Sequence, residues 1–111
     1  KKSLVAETII NGVRALTLFD SGCTLDSITP AFATAANVKV RNLKASVGLQ
    51  LGTVGSRASI ERGAVVSFQF GKIDVKSQYI DVLNVSRYDA VIGTVTMRRW
   101  GIKLDFGTDT I

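Results

Sequence analysis

Apolar and polar residues alternate along most of the chain with the two-residue period of half-buried strands. Residues 4–10 and 13–19 form two such runs, joined by Asn11-Gly12, a pair that suits the two positive-φ positions of a tight hairpin turn. Thr29-Pro30 opens a different pattern: Thr as N-cap, Pro at the first helical position, and a short Ala-rich helix over 31–36 that Asn37 ends. A brief strand is expected over 38–40. Two further runs, 45–51 and 57–60, flank Gly52, Thr53, Val54, Gly55 and Ser56, which read as a hairpin tip. Residues 64–70 and 73–83 pair across Gly71-Lys72. The chain closes with an apolar run over 90–92, then Gly93, a helical turn or two over 94–100 stopped by Gly101, and a last strand over 102–106. The pattern is that of a mostly-β fold with one or two short helices.

At 111 residues, with 46% hydrophobic and 21% charged positions and one proline, the composition is that of a folded globular chain, expected to form a single domain over 1–111. No window reaches the roughly 18 consecutive apolar residues of a membrane-spanning helix, so a soluble chain without a membrane partner is expected. It begins at Lys1 rather than Met, as an excised piece of a longer polyprotein or a trimmed chain would. Fourteen Lys and Arg against nine Asp and Glu give a net charge of +5, which by itself points to an anionic partner. The basic residues are scattered singly or in pairs and aromatic residues are few, which argues against nucleic acid.

The chain has no His and one Cys. Triads of Ser or Cys with His are therefore excluded, as are zinc sites of Cys and His ligands and an internal disulfide. Any chemistry falls to carboxylates, lysines or hydroxyls.

One carboxylate stands out. The run Leu16, Thr17, Leu18, Phe19 ends at Asp20, and Ser21-Gly22 follows. Asp-Ser-Gly is ordinary turn chemistry, because Asp and Ser bond nearby backbone and Gly supplies the bend. Its place at the end of an apolar strand sets it apart. Far along the chain, Val91-Ile92-Gly93 offers a second apolar pair ending in glycine, able to pack beneath the Asp20 loop where backbone comes close.

These features together resemble the retropepsin-like aspartic proteases, and within them the proteases of long-terminal-repeat retrotransposons of the Ty3/gypsy kind. The resemblance rests on "LTLFDSGCT", the glycine-tipped "LQLGTVGSR" and "YDAVIGTVTM", in that order, over about residues 4–106. It implies a closed β-barrel and a homodimer in which each copy donates one aspartate, since the chain has a single Asp-Ser-Gly and Asp105-Phe106-Gly107 lacks the hydroxyl. Two carboxylates within hydrogen-bonding distance share one proton: the base form activates a water that attacks the peptide carbonyl, and the acid form protonates the carbonyl oxygen.

The same resemblance assigns roles. Asp20 is the catalytic acid and base, Ser21 bonds across the dimer axis, and Gly22 leaves space and turns its N–H toward the water. Thr24 and the flap residues Gly52, Thr53, Val54 and Gly55 contact substrate, while Val91, Ile92 and Gly93 support the loop. Cys23 stands where relatives carry Ala or Ser; as a weak donor, a thiol implies an activity optimum above that of Ser-bearing relatives. Asp26 is read as a surface loop acid, and Trp100 as a cap on the core. The substrate implied is a polypeptide, the element's own Gag-Pol-type polyprotein, met in the cytoplasm or within virus-like particles, with no metal or organic cofactor. Two other classes compete: a retropepsin-like dimerisation or peptide-binding module without turnover, and a basic β-barrel associated with nucleic acid.

Overall fold

Asn11 and Gly12, at φ 50° and 78°, turn β1 (Ser3–Ile10) back onto β2 (Val13–Asp20), with Ile10 opposite Val13 and Ser3 opposite Asp20. The computed structural model describes residues 3–50 and 57–111. Along β2 the inward positions are Ala15, Thr17 and Phe19, all fully buried, while Leu16 on the other face is 46% exposed. Strand side chains alternate between faces, so Asp20 follows Leu16 and Leu18 rather than Phe19 and lies half-buried outside the core.

After Asp20 the chain forms a two-residue strand, β3 (Ser27–Ile28), and the helix α1 (Pro30–Ala35), whose N-cap Thr29 accepts the Phe32 N–H at 3.1 Å. Asn37 ends this turn at φ 53°. The strand expected over 38–40 does not form there; β4 (Arg41–Gln50) begins three residues after its expected start, and Val38 and Val40 pack on the core from irregular backbone. β5 (Arg57–Phe70) is one 14-residue strand, where the sequence suggested two runs, and it pairs antiparallel with both β4 and β6 (Ile73–Val82). Irregularities in both ladders let it bend as it passes from one region to the other.

β7 (Ala90–Gly93) runs parallel to β2, with Asp20 opposite Gly93, and antiparallel to β3. The helix α2 (Thr94–Trp100) follows at once and ends at Gly101, which is left-handed at φ 69°. Among the described residues the sheet order is β1-β2-β7-β3-β6-β5-β4, and a further β1–β5 pairing joins Ile9 to Gln69 and Ile10 to Phe68. That pairing closes six of the strands into a barrel and leaves β4 attached outside β5. Phe19, Ile28, Phe32, Phe68, Ile80 and Ile92 fill the interior, and Trp100 stacks on Phe68 at 4.8 Å between ring centres.

The final strand expected over 102–106 is absent. Its alternation comes from Ile102 and Leu104 packing against the core without ladder bonds, and Asp105 then turns the chain by accepting the Gly107 and Thr108 N–H groups. A single bridge, Asp105 to Thr110, remains.

Candidate active site

The barrel's strand order dictates what happens at Asp20. β2 and β3 lie on opposite sides of β7, so the six residues between them, 21–26, must arch over the end of β7. That end is Gly93. A Cβ on Gly93 would lie 2.7 Å from Cys23 O, 2.8 Å from Leu25 O and 2.9 Å from Leu25 N, all backbone atoms, so only glycine lets the loop lie so close. Glycine at position 93 is thus a steric requirement of the arch, while Val91 and Ile92 pair with Leu18 and Phe19 of β2.

Hydrogen bonds fix the arch. Gly22 N–H donates to Asp20 Oδ1 at 2.8 Å and Cys23 N–H to Asp20 O at 3.1 Å, a turn built by the acid on its own backbone. From the other side, Thr94 N–H donates to Cys23 O and Thr94 Oγ1 to Ser21 O, each at 2.7 Å. Asp89, just before β7, ties the flanking strands: its N–H and Oδ2 exchange 2.8 Å bonds with Leu16, and its carbonyl accepts Thr29 N–H at 3.0 Å. Asp20 itself is half-buried, whereas Ser21, Gly22 and Thr24 are exposed. The acid is therefore held half-buried by a hydrogen-bonded turn whose neighbours Ser21 and Gly22 are exposed.

Three expectations change at this level. The Gly22 N–H is engaged by Asp20 itself rather than turned to a water. Cys23 gives its thiol proton to Leu25 O at 3.3 Å, inside its own loop, and not to Asp20. Asp26 is no surface acid: it is 9% exposed and accepts from Gly93 N–H at 2.9 Å, from Gln78 Nε2 at 3.0 Å and from the Thr96 hydroxyl. It lies beside β6, whose Asp81 is also buried and donates its N–H to Asp26 O at 3.0 Å. Burial pushes the Asp81 carboxyl above the ordinary carboxylate range; a hydrogen bond from Tyr79 Oη at 2.8 Å opposes this and the Asp26 charge adds to it. Tyr79 is pushed up to about 12, first by burial and then by Asp81. Sequence reasoning had no signal for either acid, since both stand in locally unremarkable surroundings.

The flap residues Gly52, Thr53, Val54 and Gly55 lie outside the described residues. The strands leading to them pair antiparallel as far as Gln50 with Arg57. A depression of about 320 Å³ is lined by Ser21 of the loop with Thr94, Met97 and Phe106, and another of about 540 Å³ by Leu4, Leu18, Tyr88 and Phe106. Phe106, 44% exposed, stands in both. A further hollow of about 450 Å³, by Lys39, Arg41 and Tyr79, is lined by no residue of this loop.

A closed barrel with an Asp-Ser-Gly turn at the end of its second strand, arched over a glycine, defines the class of aspartic proteases with the retropepsin-like fold. Residues 6–97 match the aspartyl protease family model, and the chain belongs to that family. Among solved structures, it resembles EIAV protease complexed with the inhibitor HBY-793 (17% identity, TM-score 0.72, covering 96% of this chain and 95% of that one). It also resembles the retroviral protease-like domain of Ddi1 from Leishmania major (16%, 0.65, 96% and 80%) and a retropepsin-like aspartic protease from Rickettsia conorii (15%, 0.58, 87% and 71%). At such identities the likeness speaks for the fold. No curated protein sequence gives a match.

Proposed function

We propose that the chain is an aspartic endopeptidase that works as a homodimer, each copy contributing Asp20 to one shared site. The observation that carries this is the hydrogen-bonded Asp20-Ser21-Gly22 turn, which holds one carboxylate half-buried beside exposed Ser21 and Gly22. One carboxylate is half of an acid–base pair, and a two-fold axis beside this turn supplies the other. Sharing one proton, the pair contains a base for the attacking water and an acid for the carbonyl oxygen at once, with no covalent intermediate. Ser21 then bridges the two loops at the axis, and Thr24 and the Gly52–Gly55 tip bind the peptide main chain in extended form. The sequence motifs favour a retrotransposon protease of the Ty3/gypsy kind, acting on its Gag-Pol-type polyprotein in the cytoplasm or within virus-like particles.

Incubation with a peptide library tests this reading. Cleavage is expected that a transition-state-analogue inhibitor of aspartic proteases blocks and that Asp20→Asn lowers by roughly 10²- to 10⁴-fold or more, the scale of a lost general acid–base group. A dimeric sample that cleaves no peptide, or an Asp20→Asn variant as active as wild type, refutes it.

A further inference from the structure

The arch over Gly93 is held from below by a carboxylate that the proposed chemistry does not use. Asp26 closes the catalytic loop, yet its side chain turns inward and meets three neutral donors from three elements: Gln78 of β6, Gly93 at the end of β7 and Thr96 of α2. A buried charge is costly unless it is fully hydrogen-bonded, and a carboxylate is the one side chain of this size that only accepts. Oδ1 takes the Gly93 N–H, and Oδ2 takes the other two. Gly93 is also the residue paired with Asp20 across β2 and β7, and the surface on which Cys23 and Leu25 rest. Thr94, the next residue, grips the carbonyls of Ser21 and Cys23. A shift of Gly93 therefore carries the whole turn with it.

We infer that Asp26 is the positioning residue of the Asp20 loop: its carboxylate holds the Gly93 N–H and through Gly93 sets where the Asp20 carboxylate stands. The kinetic consequence rests on the endopeptidase reading above; the clamp itself does not. Asp26→Leu keeps the approximate shape of the side chain and removes both acceptors, whereas Asp26→Asn keeps one oxygen for Gly93. Peptide cleavage by the full chain is measured with kcat expressed per active site titrated by a tight-binding inhibitor. Asp26→Leu is expected to lower kcat roughly 10- to 100-fold with KM changed by less than about three-fold, and Asp26→Asn to recover kcat to within about five-fold of wild type. A side chain that only stabilised the fold would alter the titratable amount and the Tm but not turnover per site, so an Asp26→Leu kcat within about two-fold of wild type overturns the inference. If Asp26→Leu does not fold, Thr96→Val, which removes one donor from the same carboxylate, is expected to lower kcat about three-fold, and an unchanged kcat there overturns it equally.

Amide hydrogen exchange on the same proteins reads the clamp without turnover. The Cys23, Gly93 and Thr94 N–H groups are expected to exchange at least about ten-fold faster in Asp26→Leu (or, more weakly, Thr96→Val) and near the wild-type rate in Asp26→Asn, with barrel amides unchanged. Unchanged exchange at Gly93 and Thr94, or a rise shared by the whole barrel, overturns the inference. A wild-type chain that cleaves nothing refutes the endopeptidase reading and leaves this measurement standing.

Discussion

At Gly93 a single hydrogen atom separates a loop that closes from one that does not. The built Cβ of alanine there meets three backbone atoms at 2.7 to 2.9 Å, and backbone of a hydrogen-bonded turn cannot swing aside as a side-chain tip can. Gly93→Ala is expected to destabilise by about 1–3 kcal/mol, the usual range for forced overpacking, and to lower activity further by moving Asp20. Thermal melts and cleavage assays check this, and a variant with wild-type Tm and turnover would show that the loop yields freely. Asp81 supports a prediction of opposite sign. Its carboxyl pKa is raised in the fold, so the folded state binds the proton more tightly than the unfolded chain does. Its contribution to stability is full below the ordinary carboxylate pKa and is lost as pH rises through the raised folded value. Asp81→Asn keeps an oxygen for the Tyr79 hydroxyl and carries no charge. It is expected to raise Tm at neutral pH, with a gain that shrinks in acid; denaturation curves across pH measure it, and a gain that grows in acid would contradict the assignment.

Elements here owe their ends to short-range chemistry and their places to long-range packing. Thr29 caps α1 with its side chain and joins β7's approach with its N–H to Asp89 O, so one residue serves both. Thr29→Ala is expected to cost about 1 kcal/mol through the lost cap, read as a fall of several degrees in Tm; no fall would mean that tertiary contacts alone hold this helix. The Asn11-Gly12 hairpin, Thr29-Pro30 helix start and Gly101 helix stop were all legible in sequence, because each depends on backbone preferences within a few residues. The expected strands over 38–40 and 102–106 fail for the converse reason: their alternation is real, and their apolar side chains do pack on the core, but a strand also needs a neighbour to pair with. β3 was missed because two residues carry no period, and its pairing is decided by β6 and β7.

The whole molecule is a barrel that holds Asp20 half-buried at the end of its second strand. Apolar Val5, Leu16, Val95 and Phe106 remain between 44% and 50% exposed, with Val5 and Phe106 in the depression shared with Leu18. In the homodimer proposed above, a second copy brings its own Asp20 to the first. Specific activity is therefore expected to fall on dilution in step with dissociation seen by sedimentation, and an excess of Asp20→Asn protein is expected to suppress wild type by forming mixed dimers. Activity strictly proportional to concentration through the range where only monomer sediments would rule out the shared site.

The sequence by itself determined the strand periodicity, the hairpin turn, the capped helices, and the chemical limits set by an absent histidine and a single Asp-Ser-Gly. It also marked Gly93 as a partner for Asp20, since both sit at the ends of apolar runs. Only the tertiary structure decided that the Asp20 loop arches over Gly93, that Leu16 faces out while Phe19 faces in, and that Asp26 is buried. Turn and cap preferences act between near neighbours and so are written locally. The donors to Asp26 come from positions 52 to 70 residues away, and no local pattern encodes a meeting that the closing of the barrel brings about.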